Sequence, residues 1–144
     1  MPLMAVIDTN VLVSGLLDGD KTSPTTDVLK SIMYGFVVPI YSNDIMLEYE
    51  NVLNRDKFKF DKDKVKEFLE MISNLGFQVC GRETEVEFDD VSDLKFYEAM
   101  NAIDVPPVYL VTGNIKHFPN EERIVKPVDF VNLIGYYLDT GGAE

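Results

Sequence analysis

Met1-Pro2-Leu3-Met4-Ala5-Val6-Ile7-Asp8-Thr9-Asn10-Val11 opens the chain. The apolar run from Leu3 to Ile7 stops at Asp8, small polar residues follow, and a second apolar stretch begins. Such a run reads as a strand covered on both faces. It carries a carboxylate to its C-terminal tip and then turns into a helix from Asn10 to Leu17. In open α/β sheets ligands bind at that tip. Any later segment that brings another oxygen ligand to Asp8 therefore bears on function.

Working outward, Ser23 caps a helix that opens with Pro24. Its apolar stripe is Val28, Leu29, Ile32 and Met33, and Gly35 ends it. Phe36 to Tyr41 is a second strand. Pro39 removes a ladder donor and is expected at the strand end or on a free edge. Ser42 or Asn43 caps the next helix, which runs to about Arg55. Asp61 caps another, with Val65, Phe68, Leu69, Ile72 and Leu75 on one face and Gly76 closing it. Phe77 to Cys80 is a third strand with Cys80 buried, and Gly81 to Asp90 is an acidic loop. Asp90 or Ser92 starts a helix that reaches about Asp104. Val108 to Val111 is a fourth strand ending at Thr112-Gly113-Asn114, and Arg123 to Val125 a short fifth. Pro127 opens a terminal helix with Val131, Ile134 and Leu138 on one face, followed by a frayed tail from Gly141 to Glu144. Strands alternating with helices imply an α/β fold, a parallel sheet with helices on both faces and right-handed crossovers. Asp8 and Asn114 then share one sheet edge. No repeat or internal boundary interrupts the pattern, so residues 1–144 are expected to form one domain.

The composition narrows the function classes. Of 144 residues, 46% are hydrophobic, which suits a packed core. No apolar run is long enough to span a bilayer, and the start lacks a basic leader region. The single cysteine fits a reducing compartment, so a cytoplasmic location is expected. The net charge of −12 disfavours a simple electrostatic binder of nucleic acid. It leaves room for an enzyme that holds phosphates through bound cations, or for a protein that binds a basic partner.

Among many acids, the informative ones sit where a solvated residue should not. Asp8 ends an apolar strand, although Asp also serves well as a helix N-cap. Glu48 lies three residues after Ile45 and four before Val52, on or beside the stripe that Ile45, Tyr49, Val52 and Leu53 mark. Glu50 points the other way, to solvent. Asp93 precedes Phe96 and Met100 at helical spacing, with Asp90 just upstream; acids in a first helical turn also complement the dipole. Asn114 offers an amide oxygen after Val111-Thr112-Gly113, or simply suits a left-handed turn. Three carboxylates and an amide from four distant segments would converge on one edge. A hard divalent cation relieves their repulsion, and an oxygen-only set suits Mg2+ or Mn2+ rather than zinc.

These blocks resemble the PIN-domain family, in particular the toxin-like branch of prokaryotic toxin–antitoxin systems. The matching stretches are Val6-Ile7-Asp8-Thr9-Asn10-Val11-Leu12, Leu47-Glu48-Tyr49-Glu50-Asn51-Val52-Leu53, Asp90-Val91-Ser92-Asp93 running into Phe96, and Tyr109-Leu110-Val111-Thr112-Gly113-Asn114. The resemblance implies a three-layer α/β/α sandwich and a metal-dependent endonuclease acting on RNA. It maps the family's catalytic, metal-holding acids to Asp8, Glu48 and Asp93, with Asp90 as an accessory acid. Thr112 and Asn10 resemble the polar residues that orient ligands and waters. Many members carry a fourth acid where this chain has Asn114. A basic antitoxin and a homo-oligomer are partners the resemblance makes plausible.

Two other readings compete. Asp8 as a phosphoryl-accepting nucleophile lacks its usual neighbours: Asn10 stands where a phosphatase-like second Asp belongs, and no acidic pair precedes Asp8. A degenerate PIN fold that binds RNA or protein without cleaving is favoured by Asn114 and by the acidic surface. Six of the basic residues fall between Arg55 and Lys66 with Phe58 and Phe60 among them, a phosphate grip or a solvated link whose aromatics return to the core. His117, close to Asn114, reads as a surface loop residue ahead of a catalytic or phosphate-binding one, and Tyr136-Tyr137-Leu138 as an interface patch or core packing.

Overall fold

A computed structural model describes residues 2–140, so the tail expected from Gly141 to Glu144 lies outside the described residues. Five strands form one parallel sheet: β1 (Leu3–Ile7), β2 (Val37–Tyr41), β3 (Phe77–Gln78), β4 (Val108–Val111) and β5 (Ile124–Val125). Their order across the sheet is β3-β2-β1-β4-β5, with Val6 opposite both Ile40 and Leu110. The helices are α1 (Thr9–Asp18), α2 (Pro24–Met33), α3 (Asn43–Leu53), α4 (Lys62–Leu75), α5 (Leu94–Met100) and α6 (Pro127–Thr140). The fold is the expected α/β/α sandwich. The chain leaves β1 towards β2 on one side, while β4 arrives on the other, so β1 and β4 flank the switch point of the sheet. There the crossovers diverge and leave a crevice beyond the strand tips.

The central strands are apolar because helices cover them. Ala5, Val6, Ile7, Ile40, Val108, Leu110 and Val111 are all buried. Helix starts follow the local chemistry. The Ser23 hydroxyl accepts from the Thr26 amide while Thr26 returns a bond to the Ser23 amide, and Pro24 fills the first turn. Ser42 caps α3 through the Ile45 amide, and Asp61 caps α4 through the Asp63 amide. Gly35 takes a φ of 82°, the left-handed turn that closes α2.

Pro39 lies in mid-strand, opposite Ala5. Of its two expected places it takes the free edge, because β3 begins only at Phe77, beside Ile40, and leaves the edge next to Pro39 unpaired. Gly76 fills that notch, where an added Cβ would sit 2.5 Å from the Pro39 carbonyl oxygen. Several expectations need correction. The third strand is two residues long, not four, and Cys80 is exposed beyond it. The helix expected to reach Asp104 is a 3-10 turn, Val91–Asp93, followed by the seven residues of α5. Asp90 imposes that turn by accepting from the Ser92 amide and hydroxyl, and α5 closes at Met100, with Asn101 as its C-cap. Met33, Leu75 and Leu138 were placed on buried stripes but are exposed, and the last strand starts at Ile124 rather than Arg123. The link after α3 forms a 3-10 turn, Asp56–Phe58, and Phe58 stacks on Phe60 against the core, as the second of its two readings requires. Among the described residues no helix is long and apolar enough to cross a membrane.

Candidate active site

Because all strands run in parallel, the C-terminal tips of β1, β2 and β4 lie on one edge. β1 ends at Asp8, β2 runs through Ser42 into α3, and β4 ends at Thr112. Beyond that edge lies an open cleft of about 840 Å³. Asp8, Asn10, Glu48, Asp90, Asp93 and Asn114 all line it. Thr112 is fully buried behind them.

Asp8 stands at the N-cap position of α1 with extended backbone, yet its side chain makes no capping hydrogen bond. The carboxylate is turned to the cleft instead, which removes the cap reading. The Thr112 hydroxyl donates to Asp8 Oδ2 at 2.7 Å and accepts from the Asn114 amide at 2.9 Å, tying the tips of β1 and β4 together. Burial raises the Asp8 carboxyl above its ordinary value, and the Asp93 charge adds to this; the Thr112 bond opposes both. The Asn10 backbone N–H acts in the same sense as Thr112, although the contact falls short of a capping hydrogen bond.

Glu48 lies at the rim of the buried stripe formed by Ile45, Tyr49 and Leu53. Its carboxylate turns inward. Thr9 donates to one oxygen, and Lys95 Nζ stands 2.6 Å from the other. Its neighbour Tyr49 is fully buried and donates its hydroxyl to the Ile7 carbonyl. That carbonyl is released from the β1–β2 ladder where β2 gives way to α3, so Tyr49 locks the strand tip before Asp8 to the helix that carries Glu48. Burial raises the Tyr49 phenol far above its ordinary range, with the Asp8 and Glu48 charges acting in the same sense. Tyr49→Phe removes this donor and strands a buried carbonyl. It is expected to lower stability by about 1–2 kcal/mol in denaturant unfolding; an unchanged midpoint would show the bond to be idle.

Asp93 sits at the start of α5. Its carboxyl is raised by burial and by the nearby Asp90 charge, against the pull of His117. Asp93 Oδ2 is buried and has no hydrogen-bond partner. His117 Nδ1 lies 3.3 Å from that oxygen, near enough to interact as a charge when protonated but not aligned as a hydrogen bond. His117 is an exposed residue of the 3-10 turn Ile115–His117, as a surface reading expects, and it also reaches Asp93 at the rim of the cleft. Asp90 is exposed, and its bonds from Ser92 lower its carboxyl below the usual range.

The donor chemistry suits an oxygen-seeking divalent ion. Asp8 is buried on the cleft, and Asp93, itself half-buried, has one covered oxygen, Oδ2, without a hydrogen bond, which is costly. Their present spacing does not form a finished cage. Among the described residues, no group of three or more His, Cys, Asp or Glu side chains is placed to hold a metal ion, and both Glu48 oxygens are occupied.

The family model described as PIN domain matches residues 4–116. The chain belongs to the PIN domain family. The match spans Asp8, Glu48, Asp93 and Asn114 and most of the sheet. PIN domains are generally nucleases and usually bind divalent metals. No curated protein matches the chain.

Sequence reasoning missed two residues of this PIN domain's cleft, Thr9 and Lys95. Thr9 carried a weak signal, a small polar residue directly after the strand-end acid. Lys95 carried none, because an inward-turned lysine in a short helix has the same pattern as a solvated one.

Proposed function

We propose that this chain is a single PIN-like domain acting as a Mg2+- or Mn2+-dependent endoribonuclease, the toxin component of a prokaryotic toxin–antitoxin pair. The observation that carries this reading is the buried Asp93 oxygen without a hydrogen-bond partner, on the same cleft as buried Asp8. Asp8 and Asp93 would hold the ion, with Glu48 and Asp90 as the further carboxylates. A divalent ion supplies Lewis acidity and charge neutralisation at a phosphodiester. Thr112 keeps Asp8 in place, and Asn10 and Asn114 offer amides to waters at the cleft. A site carboxylate would take the proton from the water that attacks phosphorus in line, while the P–O bond opposite breaks and the leaving ribose oxygen takes a proton from solvent.

The test is direct. Purified protein should cleave single-stranded RNA in millimolar Mg2+ or Mn2+, and excess EDTA should stop it. Cleavage indifferent to EDTA, or none with either ion, would contradict the reading. The toxin role predicts growth arrest on expression in a bacterial host, relieved by co-expression of a basic partner encoded beside it. The net charge of −12 supports such a partner. A cytoplasmic site of action and self-association belong to the same proposal and are read by fractionation and light scattering.

One alternative has specific support. Asn114 in place of an acid, and Glu48 already paired with Lys95, favour a PIN fold that binds RNA or protein without cleaving it. In that case neither ion would raise the thermal stability.

A further inference from the structure

Lysine head groups ordinarily reach for water while their stems cover apolar surface. Lys95 does the opposite. Its side chain is only 19% exposed, and Nζ is held at three points: 2.6 Å from Glu48 Oε1, 2.6 Å from the Ser92 carbonyl oxygen and 5.2 Å from the centre of the Phe96 ring. The Ser92 carbonyl is aimed by the turn that Asp90 fixes, so the clamp is built by the local backbone. Acidic side chains outnumber basic ones along the cleft. Lys95 and Arg55 both line the cleft, and of the two it is Lys95 whose ammonium is in contact with Glu48 and neutralises charge there.

Resting on the metal-site reading above, we propose that Lys95 is the internal counter-cation of the carboxylate cleft: it holds Glu48 in the absence of a divalent ion and competes with that ion for Glu48. Lys95 is then a positioning residue that sets how tightly the ion binds, and Glu48 is exchanged between an ammonium and a metal. A lysine that merely fastens α5 to α3 would have no such effect on ion affinity.

Mn2+ binding, followed by the electron paramagnetic resonance signal of free Mn2+, separates the two roles without reference to activity. Lys95→Met is expected to bind Mn2+ about tenfold more tightly than the parent chain, the scale on which partners of metal ligands act. Lys95→Arg, which keeps the charge, is expected to bind it as the parent does. Lys95→Met should also melt earlier in EDTA and recover in saturating Mn2+. Equal or weaker Mn2+ binding by folded Lys95→Met would overturn the proposal while leaving the metal site intact. Absence of binding by the parent chain would overturn both. A second measurement needs no variant. In 15N-lysine-labelled parent protein, the Lys95 ammonium signal should shift on saturation with Mg2+, and a signal that stays fixed while Mg2+ binds would overturn the proposal.

Discussion

Asp8→Asn is expected to lower metal-stimulated RNA cleavage by on the order of a thousandfold, the scale on which a preorganised charge-stabilising group acts. The same variant is expected to fold and to melt no earlier than the parent in EDTA. Both halves come from one fact: the carboxylate is buried at a strand tip without acting as a helix cap. Asn keeps an oxygen for the Thr112 hydroxyl but loses the charge. Because burial raises the Asp8 carboxyl in the folded chain, the charged form costs stability at neutral pH. That cost fades as pH falls through the raised value and is gone below the unfolded value of 3.8. The variant's stability advantage should therefore be largest near neutrality and vanish as the pH approaches about 4. Melting curves in EDTA across that range check the sign, and a variant that is less stable at neutral pH would refute it.

Phe130→Ala is expected to cost about 3–5 kcal/mol of stability, whereas Leu138→Ala is expected to stay within about 0.5 kcal/mol of the parent. Phe130 is fully buried, with its ring 5.8 Å from that of Tyr109. Leu138 is half exposed at the far end of the same helix. Denaturant unfolding of the two variants measures the difference directly, and comparable losses would mean that α6 packs along the face the sequence pattern favoured.

That contrast shows where the sequence was readable and where it was not. The order of elements and the parallel sheet were legible because apolar runs, caps and turn residues alternate cleanly. The α6 face was legible only in part: Ile134 is buried and Val131 packs against the core as expected, but Leu138 is exposed and the anchor Phe130 was not singled out, because the pattern alone cannot say where along the helix the contact with the core ends. For Pro39 the pattern left two places open, and the choice of the free edge depends on where β3 starts, a property of another segment. Asp8, Glu48, Asp93 and Asn114 could be gathered from sequence because an apolar run or stripe fixes the location of each, whereas Asn10 and the accessory role of Asp90 came from the family resemblance. Their charge partners could not. Thr9, Lys95 and His117 reach the acids through side-chain direction alone.

The central claim is that Asp8 and Asp93 form the walls of a divalent-cation site. Crystals soaked in MnCl2 and measured at the manganese absorption edge test it most directly. Anomalous density in contact with the carboxylates of both Asp8 and Asp93, and lost in Asp8→Asn, is the result this account predicts. A cleft without density at saturating Mn2+, or an ion bound elsewhere on the chain, would contradict it.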